Sequence, residues 1–276
     1  MVSVLILTHN EEVNIGRCLD SVCWSDDVLV LDSFSTDGTH RILQKRGIRW
    51  LQHQFVDFAQ QRNFGLERGG LRHGWVLHLD ADEVVSDDLR AELEHVARAG
   101  AFPAYRVASK MIFEGRWLRF AGMFPAYQVR FGRRDLLRFK MVGHGQRETL
   151  PPDAVGTLSN ALLHHSFSKG LADWHARHER YAAAEAEENI KLLQSGVRPW
   201  EGLFSTTPTE RRRALKALSV RLPCRPLLRF IYMYVLHLGF LDGRPGYEYC
   251  RLLSRYERMI VLKMKEIQRR QRGLGV

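Results

Sequence analysis

Val28-Leu29-Val30-Leu31-Asp32-Ser33-Phe34-Ser35-Thr36-Asp37-Gly38-Thr39 is a short apolar run that ends in a carboxylate and a polar turn. The run has strand length, and the turn carries helix-capping residues, so it predicts a strand followed by a helix. The pattern recurs on both sides. Val2–Leu7 precedes Thr8-His9-Asn10-Glu11, and Trp75-Val76-Leu77-His78-Leu79 precedes Asp80-Ala81-Asp82-Glu83. A helix is expected from about Glu11, with Asn10 as N-cap and Ile15, Leu19 and Val22 on one face. A second helix runs from the Asp37 turn to near Gly47. A third strand covers Ile48–His53, and a third helix covers Phe58–Arg68, ended by Gly69-Gly70. Strands alternating with helices at this spacing form βαβ units and a mostly parallel, doubly wound sheet. Ligands of such sheets bind beyond the carboxyl ends of the strands, so the three polar clusters should converge on one crevice.

After a helix at about Asp87–Ala99 the pattern changes. Tyr105–Phe113 and Tyr127–Phe131 read as antiparallel strands joined by a loop with Trp117, Phe120 and Phe124. Residues 168–194 are helical, and three basic helical stretches near 208–221, 225–241 and 246–272 finish the chain. The expected division is residues 1–167, an α/β domain, and residues 168–276, a basic helical region.

Composition adds limits. The 276 residues are 45% hydrophobic and 26% charged, which excludes collagen, coiled coil and bulk disorder. The net charge of +10 is unevenly placed. Residues 197–276 hold 17 basic and 6 acidic side chains, against 24 and 25 in residues 1–196. An anionic partner is therefore expected at the C-terminal region. Cys18, Cys23, Cys224 and Cys250 are scattered, which fits a reducing compartment, and the first two read as small core residues. Val2–Leu7 is too short for the apolar region of a secretion signal, so a cytoplasmic protein is expected. The longest other apolar run, Phe230–Leu241, falls short of the about 20 residues that span a bilayer.

His78-Leu79-Asp80-Ala81-Asp82-Glu83 carries the most chemistry. On an extended backbone, residues two apart face the same way, so Asp80 and Asp82 project together. Two carboxylates so held repel unless a cation sits between them, and hard oxygen ligands suit Mg2+ or Mn2+. Such a metal can bridge a nucleotide diphosphate. A polar turn with a helix cap uses the same residue types. Asp32 can accept from a base N–H or from ribose hydroxyls, and Arg62, in Gln61-Arg62-Asn63, can reach a phosphate.

The order of these motifs resembles the family 2 glycosyltransferases: T-H-N-E after the first strand, D-S-F-S-T-D-G-T, A-Q-Q-R-N-F-G-L, then L-D-A-D-E. The likeness is to the branch acting on lipopolysaccharide core and related bacterial glycans. It covers about residues 1–150, and Leu238-Gly239-Phe240-Leu241-Asp242-Gly243-Arg244-Pro245-Gly246 is also typical of that branch. The resemblance implies a GT-A fold, a nucleotide-sugar donor (a UDP-sugar favoured), Mn2+ or Mg2+, and inversion at the anomeric carbon. It implies that Thr8, Asn10, Glu11, Asp32 and Arg62 line the nucleotide site. Asp80 and Asp82 would form the D-x-D element, Asp82 as the direct metal ligand, and His165 would complete the metal shell. Phe34 replaces a residue that is usually small. In Gly143-His144-Gly145-Gln146-Arg147-Glu148 the resemblance implies Glu148 as the base and His144 as a positioning residue. Glu148 beside Arg147 also fits a surface ion pair. The acceptor implied is a glycan or a lipid-linked glycan.

Two other readings compete. Asp80-Ala81-Asp82-Glu83-Val84 satisfies the D-x-D-x-[T/V] pattern of haloacid-dehalogenase phosphohydrolases, but here it follows three βα units rather than opening the fold. The basic tail alone suggests a nucleic-acid or membrane-binding module. No nucleic-acid motif accompanies it, so an enzyme body is expected instead, its tail either lying peripherally on the anionic inner face of the cell membrane or packing against the catalytic domain.

Overall fold

The computed structural model describes residues 1–142, 145–195, 200, 202, 204–205 and 208–273. The chain forms two compact units, Met1–Trp117 with Phe124–Ser168, and Leu118–Met123 with Lys169–Val276.

In the first unit, strands β1 (Ser3–Thr8), β2 (Val28–Asp32), β3 (Arg49–Gln52) and β4 (Trp75–Asp80) are parallel in the order β3-β2-β1-β4. Helices α1 (Ile15–Asp20), α2 (Thr39–Lys45) and α3 (Phe58–Arg68) connect them. All six residues of β1 are buried, because helices cover both faces. Val4 and Ile6 pack on one side with Ile15, Leu19 and Leu43. Leu5 and Leu7 pack on the other with Ala59 and Leu66 of α3. The strand order reverses at β1, so the crevice expected of a doubly wound sheet opens between β1 and β4.

Beyond β4 the sheet becomes mixed. After β5 (Glu83–Val84) and α4 (Asp87–Ala99) come β6 (Ala104–Phe113), β7 (Arg116–Trp117) and β8 (Ala126–Arg133). β8 lies antiparallel between β4 and β6. The hairpin β9 (Phe139–Val142) and β10 (Gly145–Glu148) stands apart as a two-stranded sheet. β11 (Val155–His164) runs parallel to β6 and antiparallel to β5. The architecture is the expected α/β fold with an added antiparallel section and C-terminal helices.

Three local expectations are corrected. Asn10 does not cap α1; Asn14 precedes that helix, and Asn10 adopts a left-handed backbone with φ +54°. Cys23 is exposed, whereas Cys18 is buried. The stretch read as one helix over 225–241 is three pieces, described next.

The second unit holds α5 (Gly170–Gln194), α6 (Pro208–Arg221), α7 (Arg225–Ile231) and α8 (Gly243–Gln271). Its core gathers Ala182, Ala186 and Ile190 of α5 with Val220, Ile260 and Met264. Between α7 and α8 lie a π turn (Tyr232–Leu236) and a 3-10 turn (Gly239–Asp242). No helix among the described residues is long and apolar enough to cross a membrane.

Candidate active site

Strand register brings the motifs together. Thr8 pairs with Asp32 across β1 and β2, and Leu7 pairs with Asp80 across β1 and β4. Ala81 N–H then donates to Leu7 O at 3.0 Å, carrying β4 one residue past the sheet edge before the chain turns.

At the β2 end, the buried Asp32 carboxylate is saturated by its own loop. It accepts from Ser35 N–H (2.9 Å), Ser35 Oγ (2.5 Å) and Gln52 Nε2 (3.4 Å), and His40 Nε2 lies 2.7 Å away. Burial pushes its pKa up, but the hydrogen bonds led by Ser35 outweigh burial and hold it below the ordinary carboxylate range. Ser35 Oγ also accepts from Asn10 N–H at 2.8 Å, and Asn10 Oδ1 accepts from Thr36 N–H at 2.7 Å. Glu11 N–H donates to Thr39 Oγ1, and Glu12 N–H to Asp37 Oδ2. The loops after β1 and β2 are thus laced into one wall, which is what Asn10's side chain does in place of capping. Phe34 stands out from it, 49% exposed at φ +59°, a backbone region that side chains with a Cβ rarely adopt. Thr8 Oγ1 is buried and, among the described residues, has no hydrogen-bond partner.

At the β4 end, Asp80 is gripped by two arginines. Arg62 Nη2 of α3 lies 2.8 Å from Oδ1, and Arg130 Nη2 of β8 lies 2.6 Å from Oδ2. Arg130 also reaches Glu83 Oε1 at 2.8 Å, and Glu83 Oε2 accepts from Asp80 N–H at 2.9 Å. Arg62 is 1% exposed, so it sits beneath Asp80 and fixes that carboxylate. Asp82 Oδ2 faces His164 Nε2 at 3.3 Å. His165 meets Asp82 differently, through its backbone N–H donating to Asp82 O at 2.9 Å.

The electrostatics are those of crowded acids. Burial raises the Asp80 pKa against the pull of Arg62, and Asp82 raises it further. Burial, then the Asp80 charge, pushes Glu83 up to about 8. Burial works against His164 protonation, yet the Asp82 charge and hydrogen bond lift it to about 9. An additional cation would relieve this repulsion. Among the described residues no three His, Cys, Asp or Glu side chains form a ready-made metal cage. Asp82 supplies one donor, and His164 a second once a bound cation has displaced its ring proton. That fits an ion such as Mg2+, which commonly takes one or two protein ligands and completes its shell with water and substrate phosphate.

Glu148 lies on β10, with Cα paired to that of Phe139 on β9. Asn63, next to Arg62 on α3, clamps Phe139 from both sides: its Nδ2 donates to Phe139 O at 2.8 Å, and its Oδ1 accepts from Phe139 N–H at 3.0 Å. One helix therefore holds both Asp80 and the strand opposite Glu148. The Phe139 ring also abuts the buried His78 ring at 5.1 Å. Among the described residues Glu148 and Arg147 form no ion pair with each other. His144 lies outside the described residues.

A separate cavity of about 450 Å³ opens near the amino-terminal ends of β2 and β3. Its buried Asp27 accepts from Ser3 Oγ, Arg72 N–H and Arg49 Nη2. That network is internally paired and ties the sheet's lower edge together.

One doubly wound α/β sheet thus carries Thr8, Asp32 and Asp80 at the carboxyl ends of β1, β2 and β4, with Asp82 two residues beyond. Residues 3–150 match glycosyl transferase family 2, and the chain belongs to that family. It is 26% identical over 203 residues to the lipopolysaccharide core biosynthesis glycosyltransferase LpsC of Rhizobium meliloti, covering 71% of this chain and 73% of that protein. It is 30% identical over 118 residues to an uncharacterized glycosyltransferase of Rickettsia typhi, spanning 41% of this chain and 40% of that relative. Among solved structures it is similar to Staphylococcus aureus TarS residues 1–349, at TM-score 0.44 and 15% identity, covering 92% of this chain and 91% of that one. It is also similar to glucosyl-3-phosphoglycerate synthase of Mycobacterium tuberculosis, crystallised with Mn2+ and UDP, at TM-score 0.44 and 19% identity, covering 60% and 72%. The chain is a glycosyltransferase, and neither the phosphohydrolase nor the non-enzymatic reading finds support.

Sequence reasoning missed Arg130, His164 and Asn63. Arg130 carried a signal: a charge between Val129 and Phe131 in an apolar strand demands a buried partner. His164 and His165 differ only in which way the strand turns them, and that needs the register of β11.

Proposed function

We propose that this chain transfers a sugar, with inversion, from a nucleotide-diphosphate donor (a UDP-sugar favoured) to a hydroxyl of a glycan or lipid-linked acceptor in bacterial surface polysaccharide or lipopolysaccharide core synthesis. The observation that carries this is the juxtaposition of the arginine-clamped Asp80 and the Asp82–His164 pair with the laced Asn10–Asp32 wall. The wall, with Thr8, Asn10 and Glu11, would cradle the nucleoside. Asp32 then acts mainly by shaping the loop, and Arg62 by orienting Asp80. Mn2+ or Mg2+ held by Asp82 and the His164 ring, in preference to His165, would neutralise charge on the departing diphosphate.

Inversion needs a base on the acceptor side. The acceptor oxygen attacks the anomeric carbon, its proton passes to the Glu148 carboxylate, and the bond to the diphosphate breaks. Asn63 and Phe139 set where Glu148 stands, and His144 would orient substrate. Residues 1–167 carry donor chemistry, and residues 168–276 contact the acceptor or the membrane, from the cytoplasmic side of an anionic inner leaflet.

Donor hydrolysis across UDP-, GDP- and dTDP-sugars, with and without Mn2+, tests the reading. Metal-dependent release of one nucleoside diphosphate supports it, and no turnover of any donor overturns it.

A further inference from the structure

The turn joining α7 to α8 is built rigidly yet leaves its apolar side chains outside. Gly239 and Gly246 allow backbone to pack on backbone: a Cβ on Gly246 would lie 2.3 Å from Gly239 O, and one on Gly239 would lie 2.7 Å from Met233 O. Met233 is fully buried beneath. The buried Asp242 carboxylate accepts from the backbone N–H groups of Arg119, Phe120 and Ala121, at 3.2, 2.9 and 2.7 Å. Leu238, at φ +58°, reverses the chain.

On this frame Leu227 and Ile231 stand one turn apart on α7, and Val235, Leu236, Leu238 and Leu241 follow them in the turns before α8. All six are exposed, Leu236 by 70% and Val235 by 50%. Six exposed apolar side chains within fifteen residues mark an interaction site. Its charge is one-sided: residues 226–247, which hold these side chains, carry Arg229 and Arg244 and a single acidic residue, Asp242, which is turned inside, while Arg225 just before them is paired with Glu257.

We propose that this turn is a membrane-contact element that seats its leucines among the acyl chains of an anionic bilayer, with the neighbouring arginines at the headgroups. It deepens the proposed function, on whose membrane-borne acceptor it rests for its purpose. Leucines beside the exposed Arg244, with the one carboxylate of residues 226–247 turned inside, match a surface that is apolar within and anionic at its face. A second copy fits less well, because two-fold pairing of the same patch would set the exposed Arg244 toward its own copy. The segment lies on the bilayer and does not cross it, since no helix among the described residues is both long and apolar enough to do so.

The test is flotation of the full chain with phosphatidylcholine vesicles, with and without phosphatidylglycerol, beside Leu236→Glu/Leu241→Glu and Arg244→Glu variants. The wild type is expected to float with anionic vesicles only. The double variant should bind on the order of a hundredfold more weakly, from two leucines lost to lipid at about tenfold each, and Arg244→Glu should bind more weakly with a shallower salt dependence. Unchanged donor hydrolysis would show that the variants fold. Equal flotation of the double variant and wild type overturns the proposal. So does a wild type that ignores vesicles but forms a dimer that Leu236→Glu dissolves. Vesicle binding without turnover of any nucleotide sugar would instead overturn the enzymatic reading and leave this surface standing.

Discussion

Replacing Arg130 by Met removes what is, among the described residues, the only cation that touches both Asp80 and Glu83, at 2.6 and 2.8 Å. Arg62 still holds Asp80 at 2.8 Å, so the loss falls chiefly on Glu83, which is 1% exposed. Breaking a buried ion pair by removing one partner costs about 3–5 kcal/mol when the remaining group stays charged, and about 1–3 kcal/mol when it is neutral. Glu83 has a folded pKa raised to about 8, above its unfolded value, so the native state binds the extra proton. Stability from that proton is present at low pH and falls as pH rises toward about 8. Without Arg130 only the His164 charge and the Asp80 N–H still favour ionised Glu83, so its pKa climbs and the decline continues further. The destabilisation should therefore be about 1–3 kcal/mol at about pH 6 and about 3–5 kcal/mol at about pH 9, the latter lowering Tm by on the order of 10 °C. Urea unfolding at the two pH values measures it. Arg130→Met/Glu83→Gln should abolish the extra loss at high pH. Equal losses at both pH values, or an increment that survives in the double variant, would refute the buried cluster as described.

Three further outcomes follow from the same geometry. His164→Ala should reduce Mn2+-stimulated donor hydrolysis by roughly 10–100-fold, while His165→Ala, whose contact with Asp82 is through backbone, should leave the metal titration nearly unchanged. Gly65→Ala places a Cβ 2.4 Å from Leu5 Cδ2 in the core between α3 and β1. It should cost about 1–3 kcal/mol in urea unfolding, and donor affinity should fall as well, because α3 carries Arg62. Asp32→Asn should remove an acid-sensitive increment. The Asp32 pKa is lowered in the fold, so its stabilisation exists above the ordinary carboxylate pKa and is lost as pH falls through the lower folded value. Stability of the variant should fall less between neutral pH and the acid range, measured as urea midpoints.

The amino-terminal half was legible because its signals are local. The strand β1, buried on both faces, is a continuous apolar run, and α3 begins and ends where Asp57 and Gly69-Gly70 punctuate it. The D-x-D at the end of β4 and the Asp32 turn were placed at neighbouring strand ends by the alternation alone. The rest depends on register. β11 was not foreseen: Gly156, Ser159 and Asn160 interrupt its apolar pattern, and its pairing with β6 shifts between Thr157 and Ala161. Without β11, nothing told His164 from His165. Asn63's grip on Phe139 joins residues 76 apart, which no spacing reveals. Cys23 shares a stretch with Cys18 yet faces out, because α1 ends at Asp20 before the periodic pattern does.

The most direct measurement is calorimetric titration of the full chain with UDP, with and without Mn2+, beside Asp82→Asn and Glu148→Gln. The account predicts tight binding only with Mn2+, its loss in Asp82→Asn, and its retention in Glu148→Gln together with a transfer rate lower by about 10²–10⁴-fold. Binding of UDP that ignores both the metal and Asp82, or near-normal transfer by Glu148→Gln, would contradict it.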